Sequence, residues 1–331
     1  MAEPLPTTMR AAVVHKPGGP EALILQDLPV PVPTSGQVLI RIRAFGLNRS
    51  EMWTRMGDSP GIKFPRVLGI EATGTVVSAP GGEFESGAVV ATVMGGMGRN
   101  YDGGYAEYTM VPAGQVKEIK EEGLSWEILG ALPEMMHTAW GALFTSLCLQ
   151  PGETLLVRGG SSSVGLAAAA LARHHGAFVI GTTRSKDREQ LLKDSGVQDV
   201  IIDDGAIAEK TRKRYPKGVD KLLELVGITT LEDSLKLVRK NGVLCTAGIV
   251  GGKWTMEEFT PNAVIPSGVY LTTYSSFGNP FSETPLDEIA RLIKDGSIHI
   301  PIKTFHLEQI VEVHRIIDKG TAEAKIVVLI D

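Results

Sequence analysis

Arg158-Gly159-Gly160-Ser161-Ser162-Ser163-Val164-Gly165 lies between an apolar run, residues 154–157, and an alanine-rich stretch that ends near His174. A turn of small residues that delivers a strand into a helix leaves backbone N–H groups unpaired at the positive end of the helix dipole, which makes a seat for a pyrophosphate. Gly160 and Gly165 fill the outer positions of the dinucleotide fingerprint, and Ser162 stands at the middle one, where glycine is expected. A second apolar run, residues 178–183, ends on Arg184, with Ser185, Lys186 and Arg188 close behind. Sites for the unphosphorylated dinucleotide usually place a carboxylate at that strand end to hold the ribose hydroxyls. Here Thr183, Arg184 and Arg188 offer donors and positive charge, which suit a 2′-phosphate. The expected coenzyme is NADPH, with Gly160, Ser161, Ser162, Ser163, Val164 and Gly165 around its pyrophosphate.

A turn of this kind works only when a sheet holds it, and the flanking pattern provides one. From about residue 124 to 276, strands alternate with helices. The pattern predicts helices over 138–149, from 186 to near 196 and over 230–239, with strands over 199–202, 219–226, 243–248 and 269–274. Such alternation implies right-handed crossovers and a parallel sheet covered on both faces. Residues 9–119 read differently, as short β-rich runs (11–14, 37–43, 74–77, 88–93, 106–111) punctuated by Gly and Pro. Val38, Ile40 and Ile42 alternate with Arg41 and Arg43 as in a half-buried strand. Amphipathic helices are expected over 285–296 and 307–320, and a last strand over 324–330 that returns to pair with the first β domain. The resulting division is 1–123, 124–276 and 277–331, with the third segment completing the first domain.

Composition narrows the partners. A chain of 331 residues is long enough for two cores, and a formal net charge of −5 supplies no general basic field. Nucleic acid and anionic membranes are therefore not expected as partners. Cys148 and Cys245 are the two cysteines, far apart and in no CxxC pair, which excludes a disulfide framework and a cysteine-rich zinc lobe. Residues 1–8 lack an apolar core of signal-peptide length and no run approaches a membrane span, so the expected location is cytoplasmic.

Several motifs point further: Gly46-Leu47-Asn48-Arg49-Ser50-Glu51, Leu68-Gly69-Ile70-Glu71-Ala72-Thr73-Gly74, Gly103-Gly104-Tyr105-Ala106-Glu107-Tyr108, Leu132-Pro133, Thr138-Ala139-Trp140 and Ala324-Lys325-Ile326-Val327. With the domain order, they make the chain resemble the medium-chain dehydrogenase/reductase superfamily over essentially its whole length. The resemblance implies an α/β protein: a GroES-like β-rich catalytic domain plus a Rossmann doubly wound parallel sheet. Matched residue by residue, the catalytic zinc positions of the zinc alcohol dehydrogenases fall on Asn48, Ile70 and Glu134, and the structural-zinc lobe has shrunk to residues 95–101. Ile70 has no lone pair, so no metal is expected. The chain is similar to the zinc-independent quinone oxidoreductase (zeta-crystallin-like) branch, and to the enoyl reductases beside it.

Without a Lewis acid, interconverting simple alcohols and carbonyls is hard, whereas a conjugated acceptor can take hydride at its far end while charge develops on oxygen. The resemblance therefore implies an NADPH-dependent reductase of a quinone or an α,β-unsaturated carbonyl. An enoyl reductase of a polyketide or acyl intermediate and a non-catalytic NADPH-binding protein are the alternatives. Asn48 is expected to donate toward the substrate oxygen or to bind the nicotinamide ribose, or else to satisfy turn backbone. Ser50 matches a proton-relay position, and Trp53 would wall the pocket and stack on a flat acceptor; a helix cap and a core residue are their plain readings. Thr138 corresponds to a contact of the nicotinamide carboxamide or to a helix N-cap. Gly248 and Ile249 would reach the nicotinamide through backbone groups, Phe277 would cover the cofactor, and Lys325 would approach it on the returning segment. Glu71 is expected to be structural, paired with Arg55 or another nearby cation, and His137 to lack catalytic duty. The resemblance also implies a homodimer formed by strand pairing near residues 269–275.

Overall fold

The computed structural model describes residues 5–331; of residues 1–8, read above as lacking a leader, the first four lie outside the described residues. The chain divides into two compact units. One contains the described residues through Glu134 together with Phe277–Lys294 and Ile302–Asp331; the other contains Met135–Ser276 and Asp295–Pro301.

The second unit is built on a six-stranded sheet in the order Asp199–Ile202, Phe178–Thr183, Thr154–Arg158, Val219–Glu224, Val238–Thr246, Tyr270–Thr273. Every neighbouring pair in it is parallel. The chain reaches outward on one side of Thr154–Arg158 and then crosses back to add strands on the other. The strand order thus reverses between Thr154–Arg158 and Val219–Glu224, and the crevice beyond their carboxyl ends is where a dinucleotide binds in this architecture. Leu156, Ile180, Leu222 and Leu244 are fully buried, so the near-continuous apolar runs belong to strands covered on both faces. Some elements differ from the pattern reading. Helix Pro133–Trp140 begins earlier than expected and continues as a π-helical turn, Gly141–Ser146. Helix Ala208–Arg214 has no counterpart in the reading, because its AEKTRKR sequence carries almost no apolar stripe.

The first unit centres on a seven-stranded sheet. Its main path runs Ile302–His306, Lys325–Leu329, Gln37–Gly46, Glu71–Ser78, Val89–Val93, Val116–Glu118, and Tyr108–Pro112 also pairs with Gln37–Gly46. A smaller three-stranded sheet joins Leu23–Pro29, Thr8–Val14 and Arg66–Val67. The returning strand does pair in this unit, since Val327, Val328 and Leu329 lie antiparallel to Gly46, Phe45 and Ala44. Val38, Ile40 and Ile42 are fully buried as the alternation requires, while Arg41 is exposed. Arg43 lies over the ring of Trp126 at 5.9 Å. Among the described residues no helix is long and apolar enough to cross a membrane.

Candidate active site

The small-residue turn has the geometry its composition implies. Strand Thr154–Arg158 ends at Gly159, with φ +82°, and helix Ser163–His174 starts four residues later. Ser162, at the position of the missing glycine, is the N-cap: its Oγ donates to the Gly159 carbonyl at 2.8 Å and accepts from the Gly165 amide at 3.1 Å. One orphan N–H is thereby satisfied by the chain itself, and Ser161, Ser163 and Val164 stay half-buried at the turn's open side. Gly165 is where the helix packs onto the turn, because a Cβ there would lie 2.6 Å from the Gly159 oxygen and 2.7 Å from that of Gly160. At the end of the next strand Thr183 is buried, and Arg184 is exposed and takes part in no ion pair among the described residues. Arg188 follows in the short turn Lys186–Arg188, capped by Ser185, which accepts from the Asp187 amide.

Beneath the turn lies a residue the sequence reading passed over. Arg158 is fully buried at the end of its strand. Its Nε and Nη2 grip both oxygens of Asp203 at 2.9 and 3.0 Å, and its Nη1 reaches Asp233 at 2.8 Å and Ser234 at 2.9 Å. Ser234 in turn donates to Glu224, and Thr182 donates to Asp203 at 3.3 Å. Side chains from four adjacent strand ends are thus tied together at the edge where the coenzyme would lie. Burial pushes Asp203 up, but the hydrogen bonds and charge of Arg158 outweigh it and hold the carboxyl below its usual range. Glu224, more deeply buried, is held above it.

In the first unit, the three positions matched to zinc ligands gather around two buried carboxylates. Asn48 caps helix Arg49–Met56, and its Nδ2 donates to Glu71 at 2.8 Å and, more weakly, to Glu51 at 3.5 Å. The backbone amides of Asn48 and Ile70 donate to Glu51, each at 3.2 Å, and that of Glu134 donates to Glu71 at 2.8 Å. The cation at this centre is Lys325. Its ammonium, with no solvent exposure, donates to Glu71 at 2.6 Å, Asn48 Oδ1 at 2.7 Å and the Leu47 carbonyl at 3.3 Å. Arg55, the partner first considered for Glu71, is bound to Asp318 instead. Burial first, then the neighbouring Glu71 charge, pushes the Glu51 carboxyl up to about 7.

These residues do not fit a zinc ion. Ile70 contributes only backbone, the Asn48 amide is engaged at both ends, and an ammonium already sits among the oxygens. Among the described residues, no group of three or more His, Cys, Asp or Glu side chains is arranged to hold a metal.

Helix Arg49–Met56 also carries Ser50 and Trp53, three residues apart and therefore on one face. Trp53 is half-buried and packs against the core of the first unit. Ser50 Oγ accepts from Nη2 of Arg99 at 2.6 Å, a contact the sequence offered no signal for. Arg99 comes from the segment that replaces the zinc lobe.

The remaining expected residues are spread over both units. Thr138 is buried inside helix Pro133–Trp140, so it is not an N-cap, and His137 beside it meets the Tyr274 ring edge-on at 6.0 Å. Gly248 and Ile249 follow strand Val238–Thr246 at the carboxyl edge of the parallel sheet, with Gly248 pressed against the Leu225 backbone. Thr138, the turn residues, Thr183, Arg184, Arg188, Gly248 and Ile249 belong to the parallel-sheet unit; Asn48, Ser50, Trp53, Phe277 and Lys325 belong to the other. Phe277 is exposed in a short helical turn, whereas Lys325 is wholly enclosed.

Known proteins share both halves. Residues 34–121 match the family of the alcohol dehydrogenase GroES-like domain, and residues 163–292 that of the zinc-binding dehydrogenase. The chain is similar to a human quinone oxidoreductase, 30% identical over 97% of this chain and 98% of the relative. A 2-haloacrylate reductase from a Burkholderia species is 26% identical over 92% and 94% of the two chains. A mycobacterial protein whose structure was solved in complex with NADPH superposes with a TM-score of 0.85 at 27% identity, covering 97% of this chain and 100% of the other.

Proposed function

Because this chain belongs to the medium-chain dehydrogenase/reductase family, in its quinone oxidoreductase branch, we propose that it is a zinc-free, NADPH-dependent reductase of a quinone or an α,β-unsaturated carbonyl. The observation that carries this reading is the Lys325 ammonium buried between Glu71 and Asn48, where the zinc members of the family hold their metal. Without a Lewis acid to bind an alkoxide, the chemistry left to the site is hydride delivery to a conjugated acceptor.

When bound, the nicotinamide supplies a hydride. A conjugated acceptor would take that hydride at its far end, with the π electrons moving onto the carbonyl oxygen and a proton from water completing the reduced product. The protein's part is placement. The turn from Gly160 to Gly165 would hold the pyrophosphate; Thr183, Arg184 and Arg188 would hold the 2′-phosphate; and Thr138, Gly248, Ile249 and Phe277 would serve the nicotinamide end. Lys325 and Glu71 fix Asn48 in one orientation. The Asn48 Nδ2 hydrogens point to Glu71 and Glu51, so the free capacity of this amide is the second lone pair of Oδ1. Of the two roles considered for Asn48, accepting a ribose hydroxyl is therefore favoured. Ser50, whose hydroxyl hydrogen remains available, is the better donor toward a substrate oxygen. The relative named as a 2-haloacrylate reductase favours an activated C=C bond among the acceptors. Dimerisation is proposed through the edge strand Tyr270–Thr273, which among the described residues has a partner on one side only and leaves Tyr270 exposed.

NADPH oxidation followed against a panel of quinones and enones tests the activity; tight NADPH binding with no turnover on any of them would leave a binding protein. Arg184→Ala is expected to weaken NADPH about tenfold while leaving NADH unchanged, the range for one exposed charge-assisted contact. Equal affinity of the native protein for NADPH and NADH would refute the coenzyme assignment. Elemental analysis of the purified protein should find no stoichiometric zinc.

A further inference from the structure

Arg99 is placed with unusual care for a surface arginine. The segment that presents it leaves strand Val89–Val93 through four left-handed residues in five: Met94, Gly95, Gly96 and Gly98, with φ between +59° and +96°. Met94 adopts this region without being glycine, a strain that persists only where the surroundings over-determine it. The surroundings do so here. Met97 is fully buried, a Cβ on Gly98 would lie 2.6 Å from the Gly69 oxygen, and Gln115 clamps the loop by donating to the Gly95 carbonyl at 2.9 Å and accepting from the Tyr101 hydroxyl at 2.5 Å.

Among the described residues the guanidinium so fixed has no counter-ion. Other arginines withdrawn from water have a partner: Arg55 has Asp318, Arg66 has Asp102, Arg158 has Asp203 and Asp233, Arg212 has three backbone carbonyls, and Arg43, without a counter-ion among the described residues, has the ring of Trp126. Arg99 is half-buried and, among the described residues, its side chain meets one neutral hydroxyl, that of Ser50; its buried Nε, like those of Arg43, Arg55 and Arg66, has no hydrogen-bond partner. A partly desolvated cation in this condition gains most from a planar anion, which can take two of its N–H groups side by side. Ser50 adds a hydroxyl donor to the same anion. Trp53, one turn further along the same helix face, offers a flat apolar surface beside it.

We propose that Arg99 and Ser50 form an anion-recognition corner of the substrate site, and that the natural acceptor is a planar conjugated molecule carrying a carboxylate. The proposal rests on the reductase reading and narrows it to acidic acceptors. Arg99 would both select the acid and neutralise charge that would otherwise oppose hydride arrival.

The test compares trans-cinnamate with methyl cinnamate, which share the flat conjugated body and differ in the carboxylate. In calorimetric titrations of the NADPH-loaded native protein, cinnamate is expected to bind at least about tenfold more tightly than the ester. In Arg99→Gln the acid-to-ester affinity ratio should collapse to near one, and in Arg99→Lys it should be intermediate, since the charge remains without the fork. NADPH affinity should be the same in all three proteins to within about twofold. Equal binding of acid and ester by the native protein overturns the proposal, and this comparison needs no variant to fold. It is overturned equally if Arg99→Gln keeps the preference, or weakens NADPH itself, which would assign the arginine to the coenzyme. Acid-selective, Arg99-dependent binding with no NADPH oxidation on any acceptor would uphold the anion site while removing the reductase reading.

Discussion

Arg158→Met is expected to remove about 4 kcal/mol or more of folding stability, enough to cost the protein its soluble expression at 37 °C in the worst case. The reason is what the substitution leaves behind. Asp203, with 7% of its side chain exposed, Asp233 and the buried Glu224 face the Arg158 side chain, and methionine fills much of its volume while answering none of their charge. Breaking a buried pair by removing one partner costs about 3–5 kcal/mol, and here one cation serves several acids. The sign of the pH dependence follows. With Arg158 present, Asp203 titrates below its usual range, so its contribution is intact at neutral pH and is lost only in strong acid. In the variant the stranded carboxyls would hold protons that the unfolded chain releases, so folding weakens as the pH rises. Urea midpoints of the two proteins should therefore lie further apart at pH 8 than at pH 5. A stability difference under about 1 kcal/mol once the midpoint gap is multiplied by m, or one that does not change with pH, would show that the arginine is peripheral to the sheet's stability.

Lys325→Met should cost about 3–5 kcal/mol for a related reason in the other unit. Lys325 and Glu71 both have no exposed side-chain surface, so neither water nor salt can substitute for the lost ammonium. Glu71 would keep two donors, Asn48 Nδ2 and the Glu134 amide, and would carry its charge uncompensated beside Glu51. Glu51 is already pushed up to about 7, and loss of the Lys325 charge that lowers it would raise it further, so the loss should again deepen from pH 5 to pH 8. The double variant Lys325→Met with Glu71→Gln separates charge from packing: it should recover a good part of the loss, and additive effects of the two single changes would contradict the pairing. The same variants bear on function. Freed from Lys325, the Asn48 amide can rotate, so KM for NADPH should rise in Lys325→Met protein that remains folded.

The parts of this molecule that depend on neighbours in sequence were legible, and those that depend on distant partners were not. The parallel sheet could be read because strands and helices alternate with their own periods, and the tight strand-to-helix turn because glycines and serines occupy fixed offsets. Asn48, Ser50 and Trp53 were reachable through motif correspondence alone. Arg158 looked like one more residue of a turn; its acids stand 45 and 75 positions away, and no local pattern marks such a set. Lys325 was placed on the right strand, but its bond to Glu71 emerges only once Lys325–Leu329 lies beside Gln37–Gly46. Arg99 was invisible for a third reason. Its position is set by four left-handed residues among five, and glycines announce flexibility without saying where it will be spent. Helix boundaries slipped for ordinary reasons: Pro133 starts its helix where a first-turn proline belongs, well before the Thr138 that resembles a cap.

The strand Lys325–Leu329 also bears on how the protein is born. On a ribosome, Asn48, Glu51 and Glu71 emerge early, but the lysine that balances them follows Glu71 by 254 residues. Through that interval the early β segment holds two acids in its interior with no cation, and its largest sheet lacks the strand that lies against Gln37–Gly46. The nucleotide unit is in the opposite position, since all six strands of its sheet come from one uninterrupted stretch and are complete before Lys325 appears. Vectorial synthesis therefore favours a nascent chain whose middle folds first, with its beginning left waiting for the late lysine.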